Sequence, residues 1–365
     1  MVRNALTVAV VLGLLTACST PYRPPVVVKD STSFPGIASV LAEKPEQAVD
    51  VILVHGMCTH TTAWAAGAFE RMTGAIDANA PAAPGPGAAT LDNAVQVVTS
   101  TRRAGGGTVR YHGLVWSPLT ADLKRQLDYD NTGTPTDCAT DSMCKPTRAR
   151  FNGQVKDRLL NDCLSDAMIY EGASRPVIVA AMVDTLARVL APAAPGAPLV
   201  VVAESLGSKL LFDALSEMLE SDAPATRELG QRAARRLTLI FMAGNQLPIL
   251  GLAEQQVAPQ RRERIQAGDA LQRFLALRRT NAAPAAALAP LSVVAFTDPN
   301  DLLAYRLLPS RYRAPDVSVA DVLVSNSPTW LGLLEDPFAA HLDYLENPDV
   351  GRFIACGWPV SSACR

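Results

Sequence analysis

The sequence predicts an α/β chain whose core is a mostly parallel sheet covered by helices on both faces. Three observations carry this expectation. Short β-branched apolar runs, above all residues 49–55 (VDVILVH) and 199–203 (LVVVA), have the unbroken hydrophobicity of strands buried on both sides. A stretch with helical spacing, 206–219, follows LVVVA directly. Strands and helices then alternate along the chain, and short right-handed connections turn such an order into parallel neighbours.

The elements follow in order. After the strand at 49–55, residues 61–76 have a helical pattern that ends in an Ala/Pro/Gly-rich, low-complexity loop at 78–89. Residues 95–100 and 109–116 are two further strands. The pattern then weakens over 117–148, a stretch with Gly, Pro and Asp that also holds Cys138 and Cys144, and it reads as an irregular excursion suited to a lid. Helical spacing returns at 149–163 and 176–190. Beyond the helix at 206–219 come a strand at 237–243, a long polar helix at 254–279, and strands at 291–297 and 317–325. No fixed-period repeat marks a solenoid, and no GxGxxG or GxxxxGK[ST] loop marks a nucleotide site.

With 365 residues, 48% apolar and 19% charged, the chain can bury a large core as one big domain or two small ones, and 34–365 reads as one. The formal net charge is -2 with no concentrated basic face, which speaks against nucleic acid as a partner.

The N-terminus carries a single Arg3 before an apolar run at 5–17 of about a dozen residues, short of the roughly 20 that a spanning helix needs. It reads as the apolar region of a secretory signal. The run closes on Leu15-Thr16-Ala17-Cys18, which resembles a bacterial lipobox. That resemblance implies removal of 1–17 and lipidation of Cys18, and Ser19 in place of Asp points to the outer membrane of a cell envelope. An ordinary signal cleaved after Ala17 is the alternative. Residues 18–33, rich in Pro, Ser and Thr near their start, are expected to be a tether.

Setting Cys18 aside leaves Cys58, Cys138, Cys144, Cys163, Cys356 and Cys364, an even set that an oxidising compartment would join as three disulfides. Fifteen pairings are open to six cysteines. Short loops favour Cys138–Cys144 and Cys356–Cys364, with Cys58–Cys163 as the longer tie. No CxxC spacing or neighbouring His completes a metal-ligand set, so no metal is expected.

The chemistry concentrates around Ala203-Glu204-Ser205-Leu206-Gly207. A serine hydroxyl is a poor nucleophile unless it is held exposed beside a base and an oxyanion site. A tight strand-to-helix turn with small residues two before and two after the serine does the exposing. Here those residues are Ala203 and Gly207, giving A-x-S-x-G. The plain alternative is that Ser205 only caps the helix that follows. Acyl transfer also needs an acid and then a histidine later in the chain. Of four histidines, His55, His60, His112 and His341, only His341 follows Ser205. The strand at 291–297 runs into Thr297-Asp298-Pro299-Asn300-Asp301, so Asp298 and Asp301 both offer a carboxylate. The backbone N–H of Leu206 is one expected oxyanion donor. Met57, in the His55-Gly56-Met57 turn, is the other, with Cys58 in reserve. His60 is expected at the entrance.

Taken together, HG after a strand, A-x-S-x-G, TDPND after a strand and a late AH resemble the α/β-hydrolase superfamily, particularly its lipase and esterase branches, over residues 49–356. The segment 297–309 is similar to the T-x-x-x-D stretch of fungal-class lipases, which places the acid at Asp301 and leaves Asp298 to shape the turn. The resemblance implies a serine hydrolase that cleaves carboxylic esters through Ser205, His341 and Asp301, without a cofactor or metal. An acyltransferase or amidase with the same residues is the alternative within catalysis. A non-catalytic envelope lipoprotein on the same scaffold is the alternative outside it.

Overall fold

The fold was obtained as a computed structural model, which describes residues 18–80, 87–89, 95–132, 147–255, 268–281 and 288–364. Nine strands among these residues form one sheet: β1 (Val26–Val27), β2 (Val49–Val54), β3 (Gly87–Ala89), β4 (Gln96–Ala104), β5 (Gly107–Val115), β6 (Leu199–Glu204), β7 (Leu237–Ala243), β8 (Leu291–Thr297) and β9 (Val317–Leu323). Their spatial order is β1-β9-β8-β7-β6-β2-β5-β4-β3. The six strands from β9 to β5 run parallel, and β1, β4 and β3 pair antiparallel at the edges.

The parallel strands are apolar at almost every position because both faces are covered. Side chains alternate between the two layers. Val49, Val51 and Leu53 of β2 and Val200 and Val202 of β6 face one layer, where they pack with α1 (Ile37–Glu43), α2 (Thr62–Ile76) and a C-terminal helix at Pro348–Cys356. Ile52, Val54, Leu199, Val201 and Ala203 face the other. That layer holds helices at Arg175–Leu190, Leu206–Glu220, Pro224–Arg236 and Ala270–Asn281.

Strand order places the site. From β2 the chain moves one way, to β5, and the connection carries α2 on one face of the sheet. From β6 it moves the other way, to β7, and the helix Leu206–Glu220 lies on the opposite face. A crevice therefore opens between the C-terminal ends of β2 and β6, the switch point at which open α/β sheets bind ligands.

Several sequence expectations meet a different structure. The strands expected at 95–100 and 109–116 are longer and form an antiparallel hairpin, turned at Gly105 and Gly106 with φ +58° and +82°. A two-residue turn with positive φ at both positions is the shape that Gly-Gly supplies. The expected excursion at 117–148 opens with α3 (Pro118–Arg125), started by a proline at its first position, while 133–146 lie outside the described residues. The helix expected from 254 is seen at Ala270–Asn281, with 256–267 outside the described residues.

The stretch expected to be a free tether instead lies along the sheet. Val26–Val27 forms β1, Val28 N–H donates to Asp321 O at 2.9 Å, and Thr32 N–H donates to Val319 O at 3.0 Å. The edge of β9 would otherwise leave its backbone groups unpaired, and this segment covers them. Cys58–Cys163 and Cys356–Cys364 are both disulfide-bonded. Cys138 and Cys144 lie outside the described residues. No helix among the described residues is long and apolar enough to cross a membrane.

Candidate active site

Ser205 stands at the bend between β6 and α5, with α4 taken as Arg175–Leu190 and α5 as Leu206–Glu220. Its backbone has φ +50° and ψ -128°, a conformation that non-glycine residues seldom adopt and that costs on the order of 1–3 kcal/mol. Packing holds it there. Ser205 N–H donates to Ala243 O on β7 at 2.8 Å. Gly207 abuts the loop after β2 so closely that a Cβ there would lie 2.2 Å from His55 O. Gly56 is as tightly placed on the other side, since its Cβ would come within 2.6 Å of Ser205 Cβ. The small residues around the serine are therefore required by the meeting of two backbones at the switch point.

His341 and Asp301 reach the same place from later elements. A short helix at Pro337–Leu342 carries His341, and Asp336 caps it by accepting from Phe338 N–H at 2.8 Å and Ala339 N–H at 3.3 Å. Asp301 lies in the loop after β8. The Nε2 of His341 is 3.1 Å from Ser205 Oγ, and its Nδ1 is 2.9 and 2.8 Å from the two carboxylate oxygens of Asp301. All three side chains are buried. With Nδ1–H donating to the carboxylate, Nε2 is left as an acceptor for the serine hydroxyl, the arrangement a general base needs. The structure thus brings together Ser205, His341 and Asp301 as the sequence paired them.

Asp298, the other carboxylate, faces elsewhere. It accepts from Asn300 N–H at 2.9 Å and Asn326 N–H at 2.6 Å, and burial pushes its carboxyl up to about 6. It binds the loop after β8 to the loop after β9.

The two expected oxyanion donors flank the serine. Leu206 is the first residue of α5, so its N–H has no helical carbonyl one turn earlier and lies at the positive end of the helix dipole. Met57 follows Gly56 in the loop packed on Ser205, and its side chain is buried with Sδ 4.0 Å from Gln246 Nε2.

That loop is firmly held. The His55 ring stacks between Trp116 and His60, with centroids 5.1 and 4.5 Å away. Its Nδ1–H donates to Gly56 O at 2.7 Å, and its Nε2 accepts from Trp116 N–H at 2.9 Å. Burial drives His55 well below the ordinary histidine range, with His60 adding to the effect, so it remains a neutral scaffold. His60 is half-buried and also lowered by burial. Cys58, at φ +78°, is bonded to Cys163. The next residue, Thr59, donates its N–H and hydroxyl to Asp162, which also receives Lys124 Nζ at 2.7 Å.

Sequence reasoning missed Tyr344. Its buried hydroxyl donates to Asp301 Oδ2 at 3.0 Å and accepts from Asp298 N–H at 2.9 Å. No sequence pattern marks it, since the helix that carries His341 ends at Leu342 and Tyr344 lies in the turn beyond. It also missed Glu204, a buried carboxyl that burial pushes up to about 8. Gly244, at φ +63°, lies against Tyr344 and Asp301: a side-chain Cβ there would come 2.9 Å from Tyr344 Cε2 and 3.4 Å from Asp301 Oδ2.

Comparison with described protein families, with curated proteins and with solved structures returned no match for this chain.

Proposed function

We propose that this chain is a serine hydrolase of carboxylic esters built on the α/β-hydrolase fold. The observation that carries the reading is the continuous contact from Ser205 Oγ through His341 to Asp301, mounted on a strained bend between a buried strand and a helix. A serine that only capped α5 would accept from the backbone of the first turn. Ser205 makes no such side-chain bond, and its hydroxyl turns to the imidazole. The nucleophile, acid and base also follow one another along the chain in the order that this fold uses.

In this mechanism His341 Nε2 takes the Ser205 proton as Oγ attacks the ester carbonyl. The N–H groups of Leu206 and Met57 receive the oxyanion. The tetrahedral intermediate collapses, His341 returns the proton to the leaving alcohol, and an acyl-serine remains. Water, deprotonated by His341, then attacks the acyl group and releases the acid. Asp301 orients the ring and stabilises the imidazolium without taking the proton. No step calls for a metal or cofactor.

The same reading includes export and a lipid anchor at Cys18. Cys18 is exposed and free of any disulfide, so its sulfur is accessible for acylation. The domain would then sit on a membrane surface of a bacterial envelope, facing ester-bearing lipids or other envelope substrates.

A fluorophosphonate probe tests the activity. The wild-type chain is expected to label and to cleave p-nitrophenyl esters, and Ser205→Ala to do neither. A folded wild-type chain that fails to label overturns the reading in favour of a binding module.

A further inference from the structure

Residues 325–334 (SNSPTWLGLL) lead from β9 towards the helix that carries His341, and none of them is charged. Thr329–Trp330 pairs antiparallel with Cys18–Ser19, in a register that sets Cys18 opposite Trp330. The chain then turns back, with Leu333 N–H donating to Trp330 O at 2.9 Å and with Leu331 and Gly332 at φ +52° and +65°. This is a type I′ turn, whose first central position ordinarily holds Asn, Asp or Gly. A leucine there is strained, and folding gains little from it, because the tip is open to solvent: Trp330 is 63% exposed, Leu331 49%, Leu333 83% and Leu334 59%. Four large apolar side chains gathered on one turn mark a binding surface.

The feet of this turn are fixed to the active-site loops. Glu335 accepts from Ser327 N–H at 2.9 Å and from Asn300 Nδ2 at 2.7 Å. Asn326 donates to Asp298 through its backbone and to Ala340 O through its side chain, at 2.6 and 2.7 Å. Leu302, beside Asp301, is 71% exposed on the same edge of the sheet.

We infer that the Trp330–Leu334 turn inserts into the surface of a lipid bilayer beside the anchor at Cys18, holding the sheet edge that bears Ser205 against the membrane. The inference rests on the lipid-anchor part of the proposed function. The occupant follows from where the chain leaves the domain. Cys18 is paired with Trp330, and the residues before it are the apolar run 5–17, so the membrane-directed part of the chain, or the acyl groups that replace it, emerges next to the tip. A tryptophan with adjoining leucines suits the headgroup boundary, where an amphipathic ring is favoured and leucines enter the acyl region.

The test uses the chain from residue 18 onward with Cys18→Ser, so that no lipid contributes, and vesicles of phosphatidylethanolamine and phosphatidylglycerol. The parent is expected to cosediment with them, and brominated acyl chains are expected to quench its fluorescence. Trp330→Phe should remove most of that quenching. Leu333→Asp and Leu334→Asp should each weaken binding by about tenfold or more, since a buried leucine contributes at least that factor. Turnover of p-nitrophenyl acetate should stay unchanged in both. A parent that does not bind vesicles, or a Leu333→Asp variant that binds as well as the parent, overturns the inference. So does a parent that is dimeric by light scattering and becomes monomeric on Leu333→Asp, which would assign the patch to a second copy. Loss of ester cleavage with vesicle binding intact would count against the hydrolase reading alone.

Discussion

The hydroxyl of Tyr344 donates to Oδ2 of Asp301 at 3.0 Å, and the same carboxylate oxygen lies 2.8 Å from Nδ1 of His341. Burial, with Asp301 and Asp298 nearby, raises the Tyr344 hydroxyl well above the ordinary tyrosine range, so it stays a donor throughout the working pH. Tyr344 is a positioning residue. Tyr344→Phe removes that donor and strips Asp298 N–H of its acceptor, so we expect a loss of about 1–3 kcal/mol in denaturant unfolding. With less competition for the carboxylate charge, the imidazolium is better stabilised. The acid limb of the rate profile should therefore move to higher pH. A variant with unchanged stability and an unmoved limb would remove this role.

Asp301 and Asp298 differ in their partners, and that difference can be measured. Asp301→Asn retains the shape of the site but no longer holds the imidazole in its working tautomer, and kcat is expected to fall by about 10⁴-fold. Asp298→Asn loses an acceptor for Asn300 N–H or Asn326 N–H and should cost about 1–3 kcal/mol of stability while retaining most of the activity. Esterase assays paired with urea unfolding separate the two, and the reverse pattern would move the acid role to Asp298.

Much of this arrangement was legible in the sequence because it depends on local rules. LVVVA announces a strand buried on both faces, and the small Ala203 and Gly207 around Ser205 mark a tight strand-to-helix bend. Chain order alone selected His341. What stayed hidden depends on contacts between distant segments. Nothing local to Val26–Val27 says that β9 lacks a partner there, so a polar, proline-rich stretch reads as a tether. The preference for Asp301 over Asp298 came from a resemblance. The physical reason, that Asn326 and Asn300 occupy Asp298, needs the loops in place. Tyr344 and Glu204 are ordinary residues by pattern, and only burial gives them their roles.

Gly56 offers a test of the contact between the two loops. An added methyl at this position would lie 2.6 Å from Ser205 Cβ and 3.2 Å from Ser205 Oγ, so either the serine or the Met57 loop must move. A displacement on the order of 1 Å in a reacting group costs about 10²-fold in rate. Gly56→Ala is accordingly expected to lose about that factor in kcat while its far-ultraviolet circular dichroism stays native. Full activity in this variant would show that the loop does not constrain the nucleophile.

The Cys58–Cys163 bond spans 105 residues and ends one position after the proposed oxyanion donor Met57. Closing so long a loop restricts the unfolded chain, and its removal should cost about 2–4 kcal/mol. The joint variant Cys58→Ser, Cys163→Ser should unfold at lower denaturant and turn over more slowly with KM little changed, because the loosened loop weakens binding of the oxyanion more than of the ester. The bonds of Thr59 and Lys124 to Asp162 remain and keep the loop near its place. Identical kcat in the two proteins would separate the disulfide from catalysis.

Glu204 precedes the serine, and its carboxyl is buried beneath the bend. Burial is the main cause that pushes it up to about 8. Arg71 and a hydrogen bond with Trp64 oppose the shift, and the nearby Glu346 and Asp343 add to it. The folded chain therefore holds a proton on this group that the unfolded chain has released above its ordinary value of 4.5. A group raised in the folded state stabilises fully below its unfolded value, and that stabilisation drains away as pH rises to the folded value. Glu204→Gln keeps an acceptor for Trp64 and cannot ionise, so it should escape this loss. Relative to wild type, its unfolding free energy should climb between pH about 4.5 and 8 by several kcal/mol, at about 1.4 kcal/mol for each pK unit, and level off above. Urea unfolding of the two proteins across that range gives the answer. Parallel curves would mean that the Glu204 carboxyl is solvated, and that the pocket under the nucleophile is wetter than its packing implies.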